Sequence, residues 1–386
     1  MEQASRSFIY LDHNATTPLD PSVVDAMLQV MKDEFGNPSC SYDLGRRAKE
    51  LVEQARGEVA LLLGCERHEV IFTSGGSESN NMVLKGIIDF TRPQAFHIIV
   101  SAVEHPATLN PCIYLMELGA SVTVLPVDSF GRVSPDDVRK EIRPETGLIS
   151  IMLANNETGT LEPIKEIAAV ATEYHIPFHT DAAQAVGKIP VNVNDLGVDF
   201  LSVAGHKLYG PKGVGALFIR RGNELTPLIH GGGQEWGKRS GTENTILVAA
   251  LGAACRAARE RLHEGFTAMT SMRDRLQSLL FKNVDGLVLN GHPDQRLPNT
   301  LNFSVPRIEG AKILEGVPDV AASTGAACHD RAVKLSHVLA AMGVPPEVGM
   351  GALRLTVGRT NTMEQIERAA RMIIHRIGEL RGKRFP

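Results

Sequence analysis

Residues 176–215 read IPFHTDAAQAVGKIPVNVNDLGVDFLSVAGHKLYGPKGVG. Two short apolar runs in this stretch end in polar groups. Ile176-Pro177-Phe178 runs into His179, Thr180 and Asp181, and Phe200-Leu201-Ser202-Val203 runs into His206 and Lys207. Polar residues just past an apolar strand fit the C-terminal edge of a parallel sheet, where open α/β proteins place their sites. Gly210, Gly213 and Gly215 then allow a tight turn before a further apolar run, Ala216-Leu217-Phe218-Ile219. An aspartate and a lysine brought together at such an edge form either a plain ion pair or two parts of a cofactor site.

Working outward, the chain alternates. Apolar runs at 70–73, 97–100, 121–125 and 147–153 read as strands, and helical patterns fill 44–63, 106–118, 134–142 and 164–174. Asp20 and Pro21 supply a cap and a first-turn proline for an earlier helix. Strands alternating with helices of this length predict a mainly parallel sheet covered on both faces. Right-handed crossovers then set His105, Asn156, Asp181 and Lys207 along one edge. Residues 74–77, Ser-Gly-Gly-Ser, form a small-residue turn that opens a helix. Such a turn is either a plain connector or an anion site, because it offers unpaired N–H groups at the positive end of a helix dipole.

Downstream, a long helix runs from about 245 to 262 and onward to 280, with an interruption expected near Gly265. The closing helix, 363–377, turns Ile366, Ala369, Ala370, Ile373 and Ile374 inward, and Gly378 stands just past its end. Strands are expected at 300–305 and 352–357. With 386 residues the chain exceeds one simple core. The division expected is a large domain at 15–260, and a smaller one made of 1–14 and 261–386.

Lys+Arg 40 against Asp+Glu 44 leaves no basic block of the kind nucleic acid requires. No apolar run approaches a membrane span and the first residues do not read as a secretory signal, so a cytoplasmic location is expected. The five cysteines form no CxxC pair, which argues against a metal cage or a disulfide framework. Cys328 stands apart. It lies in Ala321-Ala322-Ser323-Thr324-Gly325-Ala326-Ala327-Cys328-His329-Asp330, a segment with little bulk for a core to hold, which predicts local mobility and an exposed thiol. The alternative is a small-residue strand or turn with an incidental cysteine.

If Lys207, Asp181 and His105 share a cleft with the 74–77 turn at its end, the parts match the needs of pyridoxal phosphate. A lysine joins the aldehyde, a carboxylate pairs with the ring nitrogen, and a helix start holds the phosphate. Arg354 can then clamp an α-carboxylate through both arms of its guanidinium. Taken singly, each residue has a plainer reading: a surface lysine, a turn-capping aspartate, a structural ion pair.

The joint pattern resembles the cysteine desulfurases and the related selenocysteine lyases, pyridoxal-phosphate enzymes of the class V aminotransferase fold. The resemblance runs from Tyr10-Leu11-Asp12-His13-Asn14-Ala15-Thr16-Thr17 to about Arg359. It is carried by Thr73-Ser74-Gly75-Gly76-Ser77-Glu78-Ser79-Asn80, Ala154-Asn155-Asn156-Glu157-Thr158-Gly159, Thr180-Asp181-Ala182-Ala183-Gln184, Gly205-His206-Lys207-Leu208-Tyr209-Gly210 and Arg239-Ser240-Gly241-Thr242. It implies an α/β fold with a seven-stranded-type sheet in the large domain, and a smaller α/β domain carrying a mobile cysteine segment at about 323–335.

By the same resemblance Lys207 holds the cofactor, His105 stacks on its ring, Asp181 pairs with the ring nitrogen and Gln184 bonds the ring oxygen. Gly76, Ser77 and His206 bind the phosphate, and Thr242 reaches it from the other subunit of a homodimer. Asn156 and Arg354 hold the substrate. Cys328 takes the substrate sulfur as a persulfide, leaving L-alanine, and passes it to an acceptor protein. The implied activity is desulfuration of L-cysteine, a sulfurtransferase reaction, with iron–sulfur assembly among the possible destinations. Where the family usually carries a serine three positions before the lysine, this chain has Ala204. That residue and the Gly325–His329 flank look closer to selenocysteine lyases, whereas the distance from Cys328 to Ser336 looks closer to desulfurases. Release of selenium from L-selenocysteine therefore stays open as an alternative. So do a class V transamination, which would not use Cys328, and a scaffold or binding protein with Lys207 free.

Overall fold

The computed structural model describes residues 8–88, 93–324, 326–329 and 332–382, with the backbone alone at 93, 326–329 and 332–334. Seven strands form the central sheet: β1 (Val70–Thr73), β2 (His97–Ser101), β3 (Ser121–Leu125), β4 (Thr146–Ser150), β5 (Phe178–Asp181), β6 (Phe200–Ala204) and β7 (Gly215–Ile219). Their order is β1-β7-β6-β5-β4-β2-β3, and only β7 runs against its neighbours. The mainly parallel sheet read from the sequence is therefore present, with one reversed strand fed by the glycine turn after Lys207.

Successive strand residues face opposite sides. Ile99, Ile149, Leu201 and Phe218 pack on one face, beneath α1 (Pro21–Asp33), α2 (Asp43–Leu63), α6 (Ile164–Glu173) and α7 (Thr245–Glu260). Ile98, Leu148, Phe200 and Leu217 pack on the other, beneath α3 (Gly76–Gly86) and α4 (Pro106–Glu117). Both faces are covered, as near-continuous apolar strands require. Between α4 and α6 lies the short α5 (Pro135–Glu141), capped by Ser134.

A second core forms where α8 (Leu262–Asn283) and α9 (Met363–Leu380) cover a four-stranded sheet. Its strands are β8 (Val288–Leu289), β9 (Thr300–Ser304), β10 (Ser323–Thr324) and β11 (Ala352–Thr356), paired in the order β10-β11-β9-β8. Ile9 and Leu11 belong to this second core, and Ile9-Tyr10 pairs in parallel with Val320-Ala321.

Three local readings need correction. The long helix breaks at Arg261, whose ψ is 9° and whose guanidinium reaches the α1 cap Asp20 at 2.7 Å, while Gly265 lies inside α8 and donates to the Arg261 carbonyl at 2.8 Å. The last helix does not stop before Gly378 but runs to Leu380. Gly378 is buried there and keeps an ordinary negative φ, so its small size serves packing rather than a left-handed cap. On the same helix Ile374 is only partly buried, and Ile377 takes the inward position. Among the described residues no helix is long and apolar enough to cross a membrane.

Candidate active site

Strand ends build the site. His105 follows β2 and caps α4, accepting from the Ala107 N–H on Nδ1 at 3.1 Å. Asn156 follows β4, Asp181 ends β5, and His206 and Lys207 follow β6. All five line one cavity of about 380 Å³. Gly76 and Ser77, at the start of α3, close one side of it, and Gln184 and Arg354 line it too. Thr242 is exposed and does not line the cavity. The Cys328 backbone lies in an antiparallel hairpin, Ala326–His329 against Ala332–Leu335, opposite Val333. Its side chain, and with it the expected exposure of the thiol, lies outside the described residues.

The start of α3 is left uncapped. Gly75 precedes it at φ 148°, a conformation that suits glycine, and no side chain caps the helix. The first intrahelical bond comes from Ser79 N–H to the Gly75 carbonyl, so the N–H groups of Gly76 and Ser77 have no helical acceptor. Glu78 turns away from the opening, accepting from Ser74 N–H at 2.8 Å and pairing with Arg239 at 2.9 Å.

Asp181 is held rigidly. Its Oδ1 accepts from the Ala183 N–H at 2.9 Å, the turn-capping role weighed above, while Oδ2 accepts from Asn80 at 2.8 Å. Neither partner is charged, so the carboxylate remains free to face a cation. Lys207 does not pair with it. The Lys207 Nζ donates instead to the main-chain carbonyls of Asn14 and Ala15, at 2.6 and 2.7 Å. Burial lowers its pKa to about 8 and the Arg354 charge pushes the same way, against the opposing pull of Asp12 and Asp181. Burial also lowers His105, which the Asp181 charge opposes.

Arg354 projects from β11 and is nearly buried. One guanidinium nitrogen donates to Asp12 at 2.7 Å and to Ser323 Oγ at 3.1 Å; another donates to the Asn156 carbonyl at 3.1 Å. Among the described residues its Nε has no partner. The ion pair considered from the sequence exists, and it sits inside the cavity wall.

Two residues, one lining the cavity and one buried behind it, escaped the sequence reading. Asn14, in the motif near the N-terminus, lines the cavity and joins most of its parts. Its carbonyl accepts from Lys207 and Gln184, its Nδ2 donates to the Asn156 carbonyl and Thr300, and its Oδ1 accepts from Asn299 and Lys188. Glu104, beside His105, is fully buried, and burial raises its pKa to about 8. The signal for Asn14 was its place in Asp12-His13-Asn14-Ala15-Thr16-Thr17; Glu104 carried none, since its interior setting rests on a contact with Met152, far along the chain.

Residues 9–369 match the family model described as aminotransferase class-V. A cysteine desulfurase IscS of Dictyoglomus turgidum is 48% identical, spanning 93% of this chain and 91% of its own. The cysteine desulfurase IscS of Methanosarcina thermophila is 46% identical over 97% of this chain and 93% of its own. Among solved structures, a NifS-like protein superposes with a TM-score of 0.90 at 35% identity, covering 96% of this chain and all of the other.

Proposed function

From the premise that this chain belongs to the aminotransferase class-V family, in its cysteine desulfurase branch, we propose that it removes sulfur from L-cysteine, releases L-alanine and carries the sulfur on Cys328 to an acceptor protein. One observation supports this above the rest: a lysine with a lowered pKa and an aspartate without a cationic partner share a cavity that ends in an uncapped helix start. That donor set fits a phosphorylated pyridine aldehyde, and the family is pyridoxal-phosphate dependent.

In this reading Gly76, Ser77 and His206 hold the phosphate, Asp181 pairs with the ring nitrogen, Gln184 donates to the ring oxygen and His105 covers the ring face. Once the substrate amine has taken the place of Lys207 on its aldehyde, pyridoxal phosphate would supply an electron sink for the substrate α-carbon, and the Lys207 amine would be free. The Lys207 amine, lowered towards neutrality, takes and returns the α-proton. Arg354 exchanges Asp12 for the substrate carboxylate, and Asn156 orients that group. The Cys328 thiolate forms the new sulfur–sulfur bond as the carbon–sulfur bond breaks. His105 has Nδ1 occupied as an acceptor, so its proton sits on Nε2 and serves exchange within the cavity.

The exposed Thr242 fits a role in a second subunit's site, and the working form is a homodimer located in the cytoplasm. The two cores fit a large domain over 15–260 and a smaller one over 1–14 and 261–386. The experiment is direct. Borohydride reduction of the yellow protein followed by digestion must place the cofactor on Lys207, and exposure to cysteine must leave a persulfide on Cys328. A colourless protein, or a ring trapped on another lysine, overturns the proposal.

A further inference from the structure

Lys188 is almost fully buried, with 3% of its surface exposed. Among the described residues no carboxylate pairs with it. Its Nζ donates to Gln184 Oε1 at 2.7 Å and to Asn14 Oδ1 at 3.0 Å. The charges that act on it, Lys207 and Arg354, are both positive, and together with burial they lower its pKa well below the usual range. His13 and His206 in turn feel its charge. A buried lysine without an acid is costly to keep, and a methionine would fill the space without that cost. What lysine offers here and methionine does not is a head that donates in either protonation state.

We propose that Lys188 is a positioning residue for the cofactor site: it fixes the amide of Gln184, and the Asn14 segment beside it, so that the Gln184 NH₂ faces the ring oxygen. This rests on the reading of Lys207 as the cofactor lysine. Amide orientations follow from their partners. A lysine head carries donors both as ammonium and as amine, whereas a main-chain carbonyl can only accept. Gln184 lies between one of each, with Oε1 on Lys188 and Nε2 on the Asn14 carbonyl at 2.9 Å. Turning the amide over would set Gln184 Oε1 against the Asn14 carbonyl, acceptor against acceptor, and leave the Lys188 donors without an oxygen to meet. The Asn14 carbonyl uses one of the two Nε2 hydrogens, which leaves one for a ligand in the cavity that Gln184 lines.

The Asn14 side chain is settled in the same way. Its Oδ1 faces the donors of Lys188 and Asn299, while its Nδ2 faces the Asn156 carbonyl and Thr300. Lys188 reaches this position because Gly187, at φ 79°, turns the chain against Leu208 and Ala258, where a Cβ would approach their own to 3.1 and 3.3 Å.

The test is the pH midpoint of the visible band of the holoenzyme, which reports the proton on the Lys207 linkage. A donor on the ring oxygen favours the unprotonated linkage, so losing it raises the midpoint. Lys188→Met should raise it by about half a unit to one unit, the worth of one hydrogen bond. Arg354, Asp12 and Asp181 face the linkage and His105 and His206 lie beside it, all unchanged in the variant, whereas any positive charge on Lys188 is lost, an effect that would shift the midpoint equally in both backgrounds. Because Lys188 acts through Gln184, the same substitution made in Gln184→Ala protein should add little further shift. If Lys188→Met does not fold, Lys188→Gln takes its place in the same cycle. An unmoved midpoint, or an equal shift in both backgrounds, overturns the inference. A wild-type protein with no visible band fails the functional reading instead, so the two failures are told apart.

Discussion

The Lys207 amine lies 2.6 Å from the Asn14 carbonyl oxygen, and that oxygen also accepts from Gln184 at 2.9 Å. An amine held by carbonyls, with Asp181 left uncommitted, is a nucleophile in waiting rather than half of an ion pair. The two carbonyl dipoles favour the ammonium, but burial and the Arg354 charge outweigh them and bring its pKa to about 8. An ordinary lysine titrates near 10.4.

This sets the pH dependence of cofactor capture. Only the neutral amine attacks an aldehyde. The rate at which cofactor-free protein takes up pyridoxal phosphate should rise about tenfold per pH unit and level off near pH 8. Stopped-flow absorbance against pH checks it; a rise continuing to pH 10 would mean an unperturbed lysine. Stability carries the same sign. The unfolded chain binds the extra proton between about pH 8 and 10.5, so the cofactor-free protein should gain stability across that window as pH rises.

Ala204 lines the cavity beside Gly76; a Cβ on Gly76 would sit 3.5 Å from the Ala204 Cβ. A serine there would place a hydroxyl next to the start of α3, where the proposed cofactor phosphate would sit. Ala204→Ser should therefore tighten pyridoxal phosphate binding by about fivefold, the worth of roughly one hydrogen bond. Equilibrium titration of the cofactor-free protein measures this. Unchanged affinity would show that the α3 N–H groups already saturate the phosphate.

Arg354 keeps a fork geometry, reaching Asp12, Ser323 and the Asn156 carbonyl at once. Lysine carries the charge but not the fork. Arg354→Lys should raise KM for cysteine by about 10- to 100-fold while leaving the visible spectrum intact. Steady-state kinetics with a parallel spectrum separates loss of substrate grip from loss of cofactor.

The edge that gathers His105, Asn156, Asp181 and Lys207 was legible because each follows an apolar run, and parallel strands deliver their ends to one side. Lys188 was not. A lysine after a glycine turn reads as surface, and only Asn14, 174 residues away in the chain, turns that position into an interior. Gly265 and Gly378 read as helix ends, since sequence shows a glycine's permissiveness but not the neighbours that make small size useful. Arg261 broke the helix through a contact with Asp20, which no local pattern announces.

Glu104 gives a pH signature of the opposite sign. Among the described residues both donors that reach it, Ser101 Oγ at 2.6 Å and Met152 N–H at 2.8 Å, bond Oε1, and Oε2 has no partner. A protonated carboxyl suits that setting, and burial raises the pKa from 4.5 to about 8. Between those values the folded state holds a proton the unfolded chain has released. Glu104 therefore contributes most below pH 4.5, and its contribution is lost as pH rises to about 8, at most about 1.4 kcal/mol per unit. Glu104→Gln removes that slope. Urea melts of cofactor-free protein from pH 5 to 8 should show the variant gaining on the wild type as pH rises; parallel curves would mean the carboxyl is already ionised.

Arg56 and Glu235 form the most enclosed ion pair near the loop that carries Thr242. Two bonds of 2.8 and 2.7 Å join them, Glu235 also accepts from the Phe72 N–H at 2.9 Å, and Arg56 lies between the rings of Phe72 and Trp236. Glu235 and Trp236 both sit at positive φ, 48° and 55°. Two adjacent non-glycine residues in that region are held there at a cost of about 1–3 kcal/mol each. The buried pair anchors the strained turn to β1, and Arg239, a few residues on, ties the same loop to Glu78 on α3. Glu235→Ala strands the guanidinium and frees the turn together. Stability should fall by about 3–5 kcal/mol in denaturant melts, with Thr242 displaced and the assembled site weakened in cofactor affinity. Arg56→Met, which removes the cation but leaves a buried carboxylate, should cost a similar amount. A small loss in both variants would mean that water reaches the pair and that the turn is held by Trp236 alone.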